Sequence, residues 1–201
     1  MTRRPWLILV LLSVLLASPL SWAAPGSDSG LPLNNLGHLT AHIPEGWITH
    51  HRFQSIGFDL LELLPAEQNH LNWQSKLIFE RTRAPISYTP SQVLEQVDQG
   101  LEDNCYSSSR TMIFSGQENG FDSAVTLITC RKTTTDHQGL IQLSKAIWAN
   151  PDWFFIKIKL KVPSYAKDDE LKHQDLIKHW ATFLKKNTIC QPGKAFSECR
   201  N

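Results

Sequence analysis

Between Phe154 and Val162 apolar and polar positions alternate without a break. Phe154, Ile156, Ile158, Leu160 and Val162 fall on one side, and Phe155, Lys157, Lys159 and Lys161 on the other. Side chains that point alternately to opposite faces of a strand produce this period of two, here with one apolar and one mostly cationic face. Weaker runs upstream predict further strands over residues 36–43, 47–53, 58–64 and 73–83, the first two joined as a hairpin through Pro44-Glu45-Gly46. After residue 105 come strands over 110–115 and 121–132, joined at Asn119-Gly120, and then 140–149, which turns at Asn150-Pro151-Asp152.

The period changes to that of a helix twice. Thr89 is a good N-cap, Pro90 suits the first helical position and Gln92 completes a capping box; Val93, Leu94, Val97 and Leu101 then share a face. Over residues 168–186, Leu176, Ile177, Trp180, Phe183 and Leu184 form a second apolar stripe. Asp168, Asp169 and Glu170 begin that segment, and Lys185 and Lys186 end it, as the helix dipole favours. The order ββββ-α-ββββ-α predicts an α+β sandwich: an antiparallel β-sheet of about seven or eight strands flanked by two main helices.

The N-terminus is patterned differently. Arg3 and Arg4 precede an apolar run over residues 6–20, and Ser21 and Ala23 stand at −3 and −1 of a cleavage site, so residues 1–23 are expected to be a secretory signal peptide. The apolar run falls short of the ~20 residues that span a bilayer, so no stable membrane span is expected after cleavage. Thr2-Arg3-Arg4-Pro5-Trp6-Leu7 also resembles a twin-arginine signal, while the strongly apolar run fits the unfolded-chain route. Residues 24–35 read as a flexible leader, 36–186 as a single α+β domain and 187–201 as a disulfide-tethered tail. The expected location is periplasmic or secreted.

Composition narrows the function classes. The chain of 201 residues is 41% hydrophobic and 19% charged, with 20 Lys+Arg against 19 Asp+Glu, which excludes wholesale disorder. Cleavage would remove two arginines and leave a net charge of −1, giving no steering toward nucleic acid. Cys105, Cys130, Cys190 and Cys199 are an even set, which in an exported chain favours disulfides over metal thiolates. Three pairings are open; Gln191-Pro192-Gly193 makes a local Cys190–Cys199 loop easy, which leaves Cys105 with Cys130.

Ile43-Pro44-Glu45-Gly46-Trp47 after a short strand resembles the opening of small exported domains of the PsbP/Mog1-like class. The chain is also similar to a group of uncharacterised exported proteobacterial proteins. The shared features are that opening, the strand end Glu62-Leu63-Leu64-Pro65, the pair Asn72-Trp73, Cys105 after a helix, Gly120 and Cys130 in a hairpin, and Cys190 after the last helix. The resemblance covers residues 36–190 and implies a PsbP/Mog1-like sandwich; it brings no activity to any residue. Cys199 goes beyond its pattern and leaves the pairing of Cys190 open.

Two surfaces are candidate sites. His38 and His42, four apart, would share a strand face, with His50 on the partner strand within ~5 Å, a geometry from which imidazoles bind zinc or copper. The plainer reading is exposed histidines near a turn, with no Asp close in sequence to orient a ring. The second surface is the cationic strand face of Lys157, Lys159 and Lys161 with Trp153 and Phe155, joined by Arg81 and Arg83 from another strand, which would suit an anionic partner. Its plainer reading is a solvated face whose lysines discourage edge pairing. No GxSxG, GxGxxG or GxxxxGK[ST] occurs, so neither catalytic residues nor a cofactor is implied. The expected function is an exported non-enzymatic accessory or binding protein of the bacterial envelope with an unidentified protein or envelope component as partner; the alternative is a metal-binding protein or metalloenzyme built on His38, His42 and His50.

Overall fold

A computed structural model describes residues 39–85 and 87–190. The expected signal peptide, leader, His38, Cys199 and most of the tail lie outside them. Along the chain run β1 (Leu39–Thr40), β2 (Trp47–Ser55), β3 (Phe58–Pro65), β4 (Ser75–Arg83), α1 (Pro90–Glu102), β5 (Cys105–Glu118), β6 (Phe121–Thr133), β7 (Gly139–Ala149), β8 (Asp152–Val162), a 3-10 helix (Lys167–His173), α2 (Gln174–Lys186) and β9 (Thr188–Ile189). Seven strands form one antiparallel sheet in the order β2-β3-β4-β8-β7-β6-β5. The expected α+β architecture is therefore what the chain forms.

Local chemistry explains most of the element ends. The Thr89 hydroxyl accepts from the Gln92 backbone N–H while the Gln92 side chain accepts from the Thr89 N–H, so the capping box closes as expected. Asn119 and Gly120, with φ of 52° and 84°, make the tight turn between β5 and β6, a backbone that Asn and Gly tolerate best. Two expectations need correction. The described part of the segment at residues 36–43 does not form a hairpin with β2: Leu39 and Thr40 pair instead with Ile189 and Thr188 of β9, as a separate two-stranded sheet. The stretch 168–186 is not one α-helix, because its acidic start lies in the 3-10 segment and α2 begins at Gln174.

The core lies on both faces of the sheet. Phe79, Leu143, Ile147, Ile156 and Ile158 are buried on one face, to which α2 brings Trp180 and Leu184. The Trp180 ring meets the Trp47 ring edge to face at 5.6 Å. On the other face α1 sets Val93 and Leu94 against Ala124, Ala146, Trp153 and Phe155. The stripe on α1 is turned by one position from expectation: Asp98 is buried and Val97 is 40% exposed.

Candidate functional site

The alternation of β8 places Trp153, Phe155, Lys157, Lys159 and Lys161 on one sheet face, but that face is divided. Trp153 and Phe155 are buried beneath α1, with Trp153 4.7 Å from the Trp148 ring centroid. They are core, so the aromatic half of the expected binding face is not available to a partner. α1 covers this end of β8 and leaves the three lysines partly exposed.

Strand register builds the rest of the site. Lys157 lies opposite Ile78 of β4, and Lys159 opposite Lys76, which adds a fourth ammonium group to the row. Arg81 and Arg83 do not join it. Arg81 lies opposite Phe154, which turns it to the other face, where it pairs with Asp59; Arg83 pairs with Asp152.

Three of the four lysines are neutralised by carboxylates from other elements. Lys76 pairs with Glu62 at 2.9 Å, Lys157 with Glu80 at 3.1 Å, and Lys161 with Asp136 of the β6–β7 loop at 2.6 Å. The Lys161 ammonium, with the hydroxyl of Thr133, holds the Asp136 carboxyl down at about 2. Trp73 gathers two of these cations, with Lys76 Nζ 5.0 Å and Lys161 Nζ 4.5 Å from its ring centroid. Among the described residues Lys159 has no ion-pair or hydrogen-bond partner of its own. Burial, followed by the charges of Lys157 and Lys76, pushes its ammonium below the usual lysine range, against a weaker pull from Asp98 and Glu62.

Behind this row α1 lowers a carboxylate onto the sheet. Asp98 accepts hydrogen bonds from the Thr126 hydroxyl at 2.7 Å, the Gln142 amide at 2.9 Å and the Ser144 hydroxyl at 2.9 Å. Gln142 lies opposite Lys159 across β7 and β8, so the polar cluster borders the lysine row. Sequence reasoning missed Asp98; its place four residues after Leu94, on the same helix face, is the signal that could have found it.

Of the expected histidine set, His42 and His50 are described, and His38 lies outside the described residues. His42 lies beside α2, where its backbone N–H donates to Asn187 Oδ1 at 2.7 Å, whereas His50 stacks on His70 with centroids 5.8 Å apart. The strand just before His42 pairs with β9 and not with β2. No group of three or more His, Cys, Asp or Glu suited to a metal occurs among the described residues. A cleft of about 620 Å³, lined by Phe121, Trp148, Phe154 and Ile189 with Asp122 and Asp152, lies at the end of the sheet. Arg83 and Gln117 already occupy its carboxylates.

Cys105 and Cys130 form a disulfide with Cα atoms 5.7 Å apart. Cys190 is also disulfide-bonded. No helix among the described residues is long and apolar enough to cross a membrane.

No protein-family model matches the chain, and no curated protein sequence does. Solved structures are similar to it. The Ran-binding protein Mog1p of Saccharomyces cerevisiae is similar with a TM-score of 0.50 at 9% identity, covering 82% of this chain and 94% of its own. The PsbP protein of the cyanobacterium Synechocystis gives a TM-score of 0.48 at 14% identity, over 76% of this chain and 86% of its own. LpqN of Mycobacterium tuberculosis, described as involved in cell envelope biogenesis, gives 0.37 at 12% identity, over 70% and 78%. At such identity it is the likeness to Mog1p that shows a common fold, and fold alone assigns no activity.

Proposed function

We propose that this chain is an exported, non-enzymatic binding or accessory protein of the bacterial envelope, which engages its partner through the part of the sheet that α1 leaves uncovered. One observation carries the reading. Lys159 is half-buried directly opposite Lys76, between Lys157 and Lys161, an arrangement that packing alone would disfavour. Functional sites are where proteins break a local rule of this kind. The Cys105–Cys130 disulfide supports an oxidising compartment, periplasmic or extracellular.

Photocrosslinking tests this. A photoreactive residue at Ile78, on the lysine face, is expected to give a discrete adduct in intact cells; one at Thr182, on the exposed side of α2, is expected to give none. The reading fails if Ile78 yields no adduct, or if the two positions yield the same adducts.

A further inference from the structure

Resting on that reading, we propose that Lys159 recognises a carboxylate on an acidic segment of the partner protein. The site itself shows what its lysines take. Lys76, Lys157 and Lys161 each hold one carboxylate, delivered by Glu62, Glu80 and Asp136 from a neighbouring strand or loop. Among the described residues, none delivers a fourth to Lys159, at the centre of the row.

The buried acid nearby does not supply it. The Asp98 oxygens accept from Thr126, Gln142 and Ser144 beneath α1, and no described carboxylate lies within ion-pair distance of Lys159. With three pairs already neutral, Lys159 is the lysine of the row left to take a partner among the described residues, and one carboxylate matches its single charge while a phosphate dianion exceeds it. An incoming carboxylate would also offset the repulsion from Lys76 and Lys157. Partial burial raises the strength of that contact, because the pair forms away from bulk water. Trp73, holding Lys76 and Lys161 from one side, keeps the flanking ammonium groups in place while Lys159 is engaged.

The test uses the mature chain and a short poly-glutamate peptide at low salt, with poly-glutamine, phosphatidylglycerol vesicles and inorganic phosphate as the other probes. Binding is read by titration and by the NMR signal of the Lys159 ammonium. Poly-glutamate is expected to bind and to shift that signal. Lys159→Met is expected to weaken binding about tenfold or more. Lys159→Arg keeps the charge and is expected to retain binding, as is Lys178→Met on α2; circular dichroism checks that each variant folds. Equal binding of poly-glutamate by Lys159→Met and the parent protein overturns the proposal. So does equal binding of poly-glutamine, or a response of Lys159 to vesicles or phosphate but not to poly-glutamate. An Ile78 adduct that persists unchanged in Lys159→Met removes the carboxylate anchor and leaves the binding face standing; absence of the adduct from the parent protein removes the face itself.

Discussion

Lys76 and Lys159 stand directly opposite one another across β4 and β8, two cations in a position where cross-strand partners touch. Like charges so placed destabilise a sheet by roughly 0.2–1 kcal/mol. Lys159 is also pushed down in pKa, first by burial and then by Lys157 and Lys76. A lysine whose folded pKa lies below its unfolded value weakens the fold at every pH where it is charged; the penalty fades as pH rises from the folded toward the unfolded value. Lys159→Met is therefore expected to stabilise the protein at neutral pH by roughly 0.2–1 kcal/mol, read as a higher urea midpoint with an unchanged slope. A lower midpoint would make Lys159 a structural residue.

Lys145 has the opposite role. It is fully buried in β7, where its ammonium donates to the carbonyls of Leu184 at 3.1 Å and Asn187 at 2.9 Å and pairs with Glu118 at 2.5 Å. One side chain thus caps the C-terminus of α2 and ties it to the β5–β6 hairpin. Burial lowers its pKa, and Glu118 opposes that shift. Lys145→Met would leave a partly buried carboxylate and two inward carbonyls without their cation, with an expected loss of about 3 kcal/mol in urea unfolding. A loss under about 1 kcal/mol would show that water replaces the ammonium at little cost.

The parts of this fold that follow from neighbouring residues were legible in the sequence: the alternation of β8, the Thr89 cap, the Asn119-Gly120 turn. The unread parts depend on distant ones. Leu39–Thr40 and Thr188–Ile189 are too short to carry a period, and their pairing spans almost the whole described chain. Lys145 sits inside an apolar run, where nothing local announces the carbonyls that hold it. Alternation put Trp153, Phe155 and the lysines on one face correctly, but it is silent on how far a helix reaches across that face. The carboxylates that neutralise the row come from three separate elements, so sequence spacing overstated its charge.

The Lys161–Asp136 pair gives the site an acid limit. Lys161 and Thr133 hold the Asp136 carboxyl down at about 2 in the folded chain, against 3.8 for an ordinary aspartate. Because the folded value is the lower one, the stabilisation is fully present above the unfolded value and drains away as pH falls from 3.8 toward 2. Asp136→Asn is expected to remove that part of the pH dependence and little else. The check is a set of thermal midpoints taken from neutral pH down through this window; parallel curves for parent and variant would contradict it.

The Cys105–Cys130 bond joins the start of β5 to its neighbour β6. Cys105 opens β5, an edge strand paired on one side only by β6, and its register with β6 slips twice in its first residues. Cys130 is fully buried, so the bond fastens this irregular end of the edge strand to the core. Its closed loop of 25 residues corresponds to stabilisation on the order of 3 kcal/mol by chain entropy. Replacing both cysteines by alanine is expected to lower the unfolding free energy by about that amount, and to speed amide exchange at Tyr106 to Ser109 more than at the Met112 to Ser115 stretch of the same strand. The second measurement decides between mechanisms. Uniform acceleration along β5 would mean that the bond acts only on the unfolded chain, whereas acceleration confined to the first residues would show that it holds the slipped register in place.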